Sequence, residues 1–130
     1  MKNTKGQHIL LDLQYDPASI DITSKDLMDS IFEIMIYSIT TLSNMKIVDA
    51  RKHELFQPPG FTTFICLDES HCSCHSYTDI GLLSLDLYTC GPTDPVVVME
   101  NIQTEIKKII PTIEVKYINI VRRFHYDVSP

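Results

Sequence analysis

No run of apolar residues in this 130-residue chain approaches the length that crosses a membrane. The segment from Met1 to His8 lacks the apolar core of a secretory signal, so the expected location is the cytoplasm. Positive charge is also scarce, with 11 Lys and Arg against 17 Asp and Glu and a formal net charge of −6. Nucleic-acid binding rests on a basic patch. The densest basic group here, Lys107, Lys108, Lys116, Arg122 and Arg123, reads as solvated faces, so neither nucleic acid nor membrane is an expected partner. There is no Gly-x-Gly-x-x-Gly and no P-loop, and no repeat or low-complexity stretch. The four cysteines come without a secretory signal and read as thiols, not as a disulfide framework.

A chain of this length, 44% hydrophobic, fits one domain spanning residues 1–130. Its apolar periods give the order β-α-β-β-β-β-α-β. Ile9, Leu11, Leu13 and Tyr15 alternate with polar residues along a half-buried strand, at whose start His8 reads as a strand-end polar residue. Thr23 or Ser24 caps a helix with Leu27, Ile31, Ile34, Met35, Ser38 and Leu42 on one face. Strands follow at 46–56, 61–67, 71–77 and 80–88, the first two separated by a rigid Gln57-Pro58-Pro59-Gly60 turn. Asp94 and Pro95 start a second helix, which Pro111 ends. The last strand is 113–121, and the tail from Arg122 carries no expected element. Short turns between strands imply a largely antiparallel sheet, and the expected fold is α+β, with two helices packed on one face of that sheet.

The densest chemistry lies from Asp68 to Asp79, D-E-S-H-C-S-C-H-S-Y-T-D. One reading is a metal site from His71, Cys72, Cys74 and His75. Alternation along a strand opposes it, because His71 and His75 would share one face while Cys72 and Cys74 take the other, and such a set does not close a tetrahedron. No metal is therefore expected. A Ser70–His75 hydrolase dyad is a second reading, but nothing marks an oxyanion hole. A third is a self-processing Glu69–Ser70 bond with His75 as its base.

The Glu69-Ser70-His71 triplet with His75 downstream, L-D-L-Y-T-C-G at Leu85–Gly91 and F-Q-P-P-G-F-T at Phe56–Thr62 together resemble the small prokaryotic-type S-adenosylmethionine decarboxylase proenzymes. The likeness runs from about His8 to Val121. It implies self-cleavage between Glu69 and Ser70 into a β chain, residues 1–69, and an α chain, residues 70–130. The Ser70 hydroxyl attacks the Glu69 carbonyl to give an ester. His75 removes the Cα proton of residue 70, and elimination followed by hydrolysis leaves a pyruvoyl group there. Thr62 stands where the family usually has a serine that assists processing. The pyruvoyl carbonyl, holding substrate as a Schiff base, is the electron sink for decarboxylation. Cys90 matches the acid that returns a proton to the substrate carbon, and a thiol of ordinary pKa, about 8.5, is mostly protonated at neutral pH. Phe56 matches an aromatic that stacks on adenine. Asp79 stands where H-T-W-P-E usually supplies a Glu for the ribose hydroxyls, and the segment here is H-S-Y-T-D.

The implied reaction is decarboxylation of S-adenosylmethionine for spermidine synthesis. A sister activity on ornithine or arginine, or an uncleaved non-enzymatic homologue, fits the same residues. Small members of the family are dimers with sites near the subunit interface, and a sheet with one uncovered face is an independent reason to expect pairing.

Overall fold

The computed structural model describes residues 2–129. In chain order the elements are β1 (Lys2–Asn3), β2 (Gly6–Gln14), a 3-10 turn (Pro17–Ser19), α1 (Ser24–Leu42), β3 (Ile47–Phe56), β4 (Pro59–Leu67), β5 (His71–Tyr77), β6 (Leu82–Cys90), α2 (Pro95–Ile109), β7 (Glu114–Arg123) and β8 (Tyr126–Asp127). Six strands form one sheet in the order β3-β4-β5-β6-β2-β7, and every neighbouring pair is antiparallel. β1 and β8 make a separate two-residue ladder.

The helices start where their caps dictate. Thr23 Oγ1 accepts from the Asp26 amide at 3.1 Å, and Asp94 Oδ1 accepts from the Val96 amide at 2.9 Å with Pro95 in the first turn. These bonds satisfy amides that have no partner within the helix. Leu27, Ile31, Met35 and Ile39 of α1, and Val98, Met99, Ile102 and Ile106 of α2, recur at helical spacing and are buried. They pack on Ile9, Leu11, Leu13, Phe61, Ile65, Cys72, Cys74, Leu83, Leu85 and Leu87, one alternating set from β2, β4, β5 and β6. Both helices therefore cover the same face, as an α+β fold of this pattern requires. The other face is open. Leu42, expected in the α1 stripe, is exposed in the last turn, and Ile39 takes its place in the core.

Two local expectations change. The double proline does not break the chain into a long turn: Phe56 pairs with Pro59, so Gln57 and Pro58, joined by a cis peptide bond, form a two-residue hairpin. A proline as first strand residue costs the ladder little. The tail is also more ordered than its composition indicates, since β7 continues to Arg123 and β8 follows.

Gly60 shows how closely β4 and β5 approach. A Cβ built there would lie 2.0 Å from the backbone oxygen of Ser76. Gly60→Ala should therefore destabilise by about 3 kcal/mol, lowering Tm by roughly 10 °C for a chain of this size in a thermal melt.

Candidate active site

The Glu69–Ser70 bond lies in the turn between β4 and β5. Leu67 N–H donates to Ser70 O at 2.9 Å and closes that turn over Asp68 and Glu69. The Asp68 amide donates to Lys46 O at 3.1 Å, anchoring the turn beside the start of β3. Glu69 is exposed and Ser70 half-buried. The register pairs His71 with Tyr88, which brings the last residue of β6 beside Ser70. There the Cys90 amide donates to Ser70 Oγ at 3.2 Å. A cleft of about 160 Å³ lined by Lys46, Glu69, Ser70, Cys90 and Thr93 opens on one side. A larger one, about 390 Å³, is lined by Lys5, Glu69, Cys90, Gly91 and Phe124.

The remaining expected residues gather at the opposite end of β5. Thr62 and His75 are cross-strand partners, with Thr62 Oγ1 and His75 Nδ1 3.0 Å apart. When Nδ1 carries the proton and donates to Thr62, Nε2 holds the lone pair of a base. Phe56, at the tip of the β3–β4 hairpin, is 80% exposed, so it fills no part of this chain's core. Asp79 is exposed in the turn that follows β5.

Ser70 and His75 are five positions apart in extended chain, a separation of roughly 16 Å. A proton does not cross that gap directly, since general bases work at hydrogen-bond distance. Phe56 and Thr62, which the resemblance ties to substrate and processing, therefore lie far from the Glu69–Ser70 bond of their own chain. The candidate residues of one chain form two separate groups: Glu69, Ser70 and Cys90 at one end of β5, and Phe56, Thr62, His75 and Asp79 at the other.

The His-Cys stretch alternates as expected. Cys72 and Cys74 point into the helix-covered core and are fully buried. Burial holds both thiols far above their ordinary pKa, with Asp86 adding to the effect. His71, Ser73 and His75 face the open side, so the four residues weighed as metal ligands do not converge.

A different cluster does converge on the open face, and sequence alone missed it. Asp86 Oδ2 lies 2.7 Å from His8 Nε2 and 3.2 Å from His71 Nε2, and the Ser73 hydroxyl donates to Asp86 Oδ1. Burial pushes the Asp86 carboxyl up. The bonds from Ser73 and His8, together with the charge and bond of His71, outweigh that and leave its pKa below the usual carboxylate range. The stability linked to this shift is present above the ordinary Asp pKa and is lost as pH falls through the lower folded value. The signal available in the sequence was parity, since His8, His71 and Asp86 are all on polar positions of their strands; the register that aligns them was not legible.

The family model described as S-adenosylmethionine decarboxylase matches residues 7–119. The S-adenosylmethionine decarboxylase proenzyme of Aquifex aeolicus is 34% identical over 107 residues, covering 82% of this chain and 75% of that protein. The S-adenosylmethionine decarboxylase proenzyme 2 of Bacillus cereus is 32% identical over 106 residues, covering 81% of each. The crystal structure of the Aquifex aeolicus VF5 adenosylmethionine decarboxylase superposes with a TM-score of 0.60 at 27% identity, covering 93% of this chain and 90% of that one. With most of its length matched by the family model and by these relatives, this chain belongs to the S-adenosylmethionine decarboxylase family.

Proposed function

We propose that the chain is a proenzyme that cleaves itself between Glu69 and Ser70, and that residues 70 and 90 then carry out decarboxylation of S-adenosylmethionine, the step that supplies the aminopropyl donor for spermidine synthesis. The observation that carries this reading is the 3.2 Å bond from the Cys90 amide to Ser70 Oγ. It holds the serine expected to become the pyruvoyl group against the residue expected to donate a proton, at the mouth of a cleft. An amide N–H aimed at that oxygen also lowers the cost of its losing the hydroxyl proton as it attacks the Glu69 carbonyl. The exposed two-residue turn leaves this peptide free to move as the bond migrates from nitrogen to oxygen.

The surroundings of Ser70 fit a group made from its own backbone and side chain. Once formed, that group supplies an electron sink for the carboxylate bond of substrate. Cys90 Sγ holds the proton that returns to the substrate carbon. The base for processing is His75, fixed through Nδ1 by Thr62. Phe56 offers an uncommitted aromatic face to adenine, and Asp79 offers a carboxylate to the ribose hydroxyls.

His75 and Thr62 reach Ser70 from a second copy of the chain. Two open faces stacked about a two-fold axis lying between the sheets and across the strands bring the Ser70 end of one copy over the His75 end of the other. Such an interface is self-complementary, and sheets stack at about 10 Å, within reach of facing side chains. The open face carries exposed Phe64, Tyr77 and Tyr117, apolar surface that such stacking would remove from water. The homodimer thus completes two identical sites.

Intact mass of the purified protein under denaturing conditions, with carbon dioxide release from S-adenosylmethionine, ornithine and arginine measured in parallel, tests the reading. Two fragments, 69 and 61 residues long by division of the 130-residue chain after Glu69, with the second blocked at its amino end, are expected, together with release from S-adenosylmethionine alone. A single uncut mass, or release only from an amino acid, would overturn it.

A further inference from the structure

Between the two groups of candidate residues lies a polar network that the proposed chemistry does not use. Asp86 of β6 joins His8 of β2 to His71 and Ser73 of β5. Arg123 of β7 extends it, with Nη1 3.2 Å from His8 Nδ1 and its guanidinium carbon 5.2 Å from the centre of the Tyr88 ring. Four adjacent strands are thereby tied at one level of the sheet. His71, a third of whose side chain is exposed, is held by several neighbours. Its ring stacks on Phe64 at 5.8 Å with planes 19° apart, meets His8 edge-on at 5.6 Å, lies 5.5 Å from the Tyr88 ring, and is bonded to Asp86.

The hydrogen-bond pattern fixes the tautomer of His8. A guanidinium only donates, so His8 Nδ1 accepts from Arg123 and Nε2 carries the hydrogen that goes to Asp86. Ligand atoms of His8, His71 and Asp86, one from each, lie within 4.8 Å of one another, close enough to hold a cation. Arg123 opposes that use. Metal ligation through Nε2 would move the proton to Nδ1, which then could not accept from the guanidinium, and it would set a second positive charge beside Arg123.

We infer that Asp86 is a positioning residue: by holding the His71 ring it sets the orientation of residue 70 toward Cys90. This deepens the function proposed above and rests on it. His71 directly follows Ser70, so its backbone nitrogen completes the amide through which the converted residue 70 remains attached. Rotation at His71 swings that amide relative to the Cys90 thiol. Three bonds to one carboxylate and a stacked ring oppose the rotation.

Asp86→Asn, compared with wild type, tests this through cleavage by intact mass, melting temperature, metal content, kcat, KM and the fate of residue 70 during turnover. The variant is expected to cleave and to melt within about 10 °C of wild type, the scale of weakening the bonds to one partly buried carboxyl while its amide replacement keeps the same shape. KM should change less than about threefold while kcat falls roughly 30-fold, a loss confined to the transition state. A thiol out of line also misdirects protons. A proton delivered to residue 70 in place of the substrate carbon leaves the substrate nitrogen on the chain as alanine and releases the rest of the substrate, after addition of water, as an aldehyde. Alanine at position 70 should therefore accumulate faster per turnover in Asp86→Asn. Unchanged kcat and unchanged alanine formation would overturn the assignment. So would stoichiometric metal in wild type that Asp86→Asn loses. If Asp86→Asn does not fold, Arg123→Gln, which trims the outer bond at an exposed position, decides: a kcat reduction of about threefold at constant KM supports the network, and wild-type kcat with wild-type alanine formation sinks it. A wild type that neither cleaves nor releases carbon dioxide defeats the underlying function and is distinguishable from all of these.

Discussion

Ser70→Ala and His75→Ala chains, each inert alone, are expected to restore cleavage when produced together. Ser70→Ala lacks the oxygen that attacks Glu69, and His75→Ala lacks the base for elimination, stalling at an ester that added hydroxylamine can still split. In a mixed dimer, His75 of the first chain faces Ser70 of the second. One site is whole and the other lacks both groups. Random pairing makes about half of the dimers mixed, so about a quarter of all chains, every one of them a His75→Ala chain, should be cut. Tags of different mass on the two chains identify the cut one. The reason is distance: roughly 16 Å of strand separates Ser70 from His75 within a chain, while Thr62 holds His75 at 3.0 Å on the same open face. Cleavage of the wild type with none in the mixture would eliminate the two-chain site and require a rearranged single chain.

Cys90 should separate two roles that its side chain and backbone divide. Cys90→Ala retains the amide that donates to Ser70 Oγ, so cleavage should go on at a comparable rate. The thiol is gone, and loss of a positioned general acid costs about 10²- to 10⁴-fold. Turnover should fall by that factor with KM little changed. Cys90→Pro removes the amide as well as the thiol and should slow cleavage itself. Pulse-chase processing beside steady-state assays measures both. Full turnover in Cys90→Ala would leave the proton donor unassigned, and normal processing in Cys90→Pro would show that the amide bond to Ser70 is dispensable.

Much of this was legible in the sequence because alternation and capping are local. Leu83, Leu85 and Leu87 against Ser84, Asp86, Tyr88 and Cys90 defined both faces of β6 without a structure, and the same parity separated His71 and His75 from the two buried thiols. Thr23, Asp94 and Pro95 marked helix starts by the chemistry of unpaired amides. What could not be read was anything fixed by register between distant segments. That Ser70 meets Cys90 while His75 meets Thr62 depends on how β4, β5 and β6 slide past one another. His8 read as a strand-end residue because its partner, Asp86, lies 78 positions away. Phe56 was matched to an adenine-stacking aromatic by its motif alone, and its exposure at a hairpin tip was not legible.

The strand order also governs what the proposed cut would do to the molecule. A break after Glu69 leaves β2, β3, β4 and α1 on one fragment and β5, β6, β7 and α2 on the other. The sheet does not divide along that line, because β2 lies between β6 and β7. The two fragments are threaded through each other, with ladders joining them at β4–β5, β6–β2 and β2–β7. Neither can leave without breaking three of the five ladders of the sheet, so the nicked molecule holds together with no covalent link. The same threading makes unfolding a one-way event. An intact proenzyme refolds as a single chain, whereas the cut form must find its other half in solution before β2 can enter its slot. Folding first and cutting second is thus imposed by topology, and the cut ratchets the protein into its finished state.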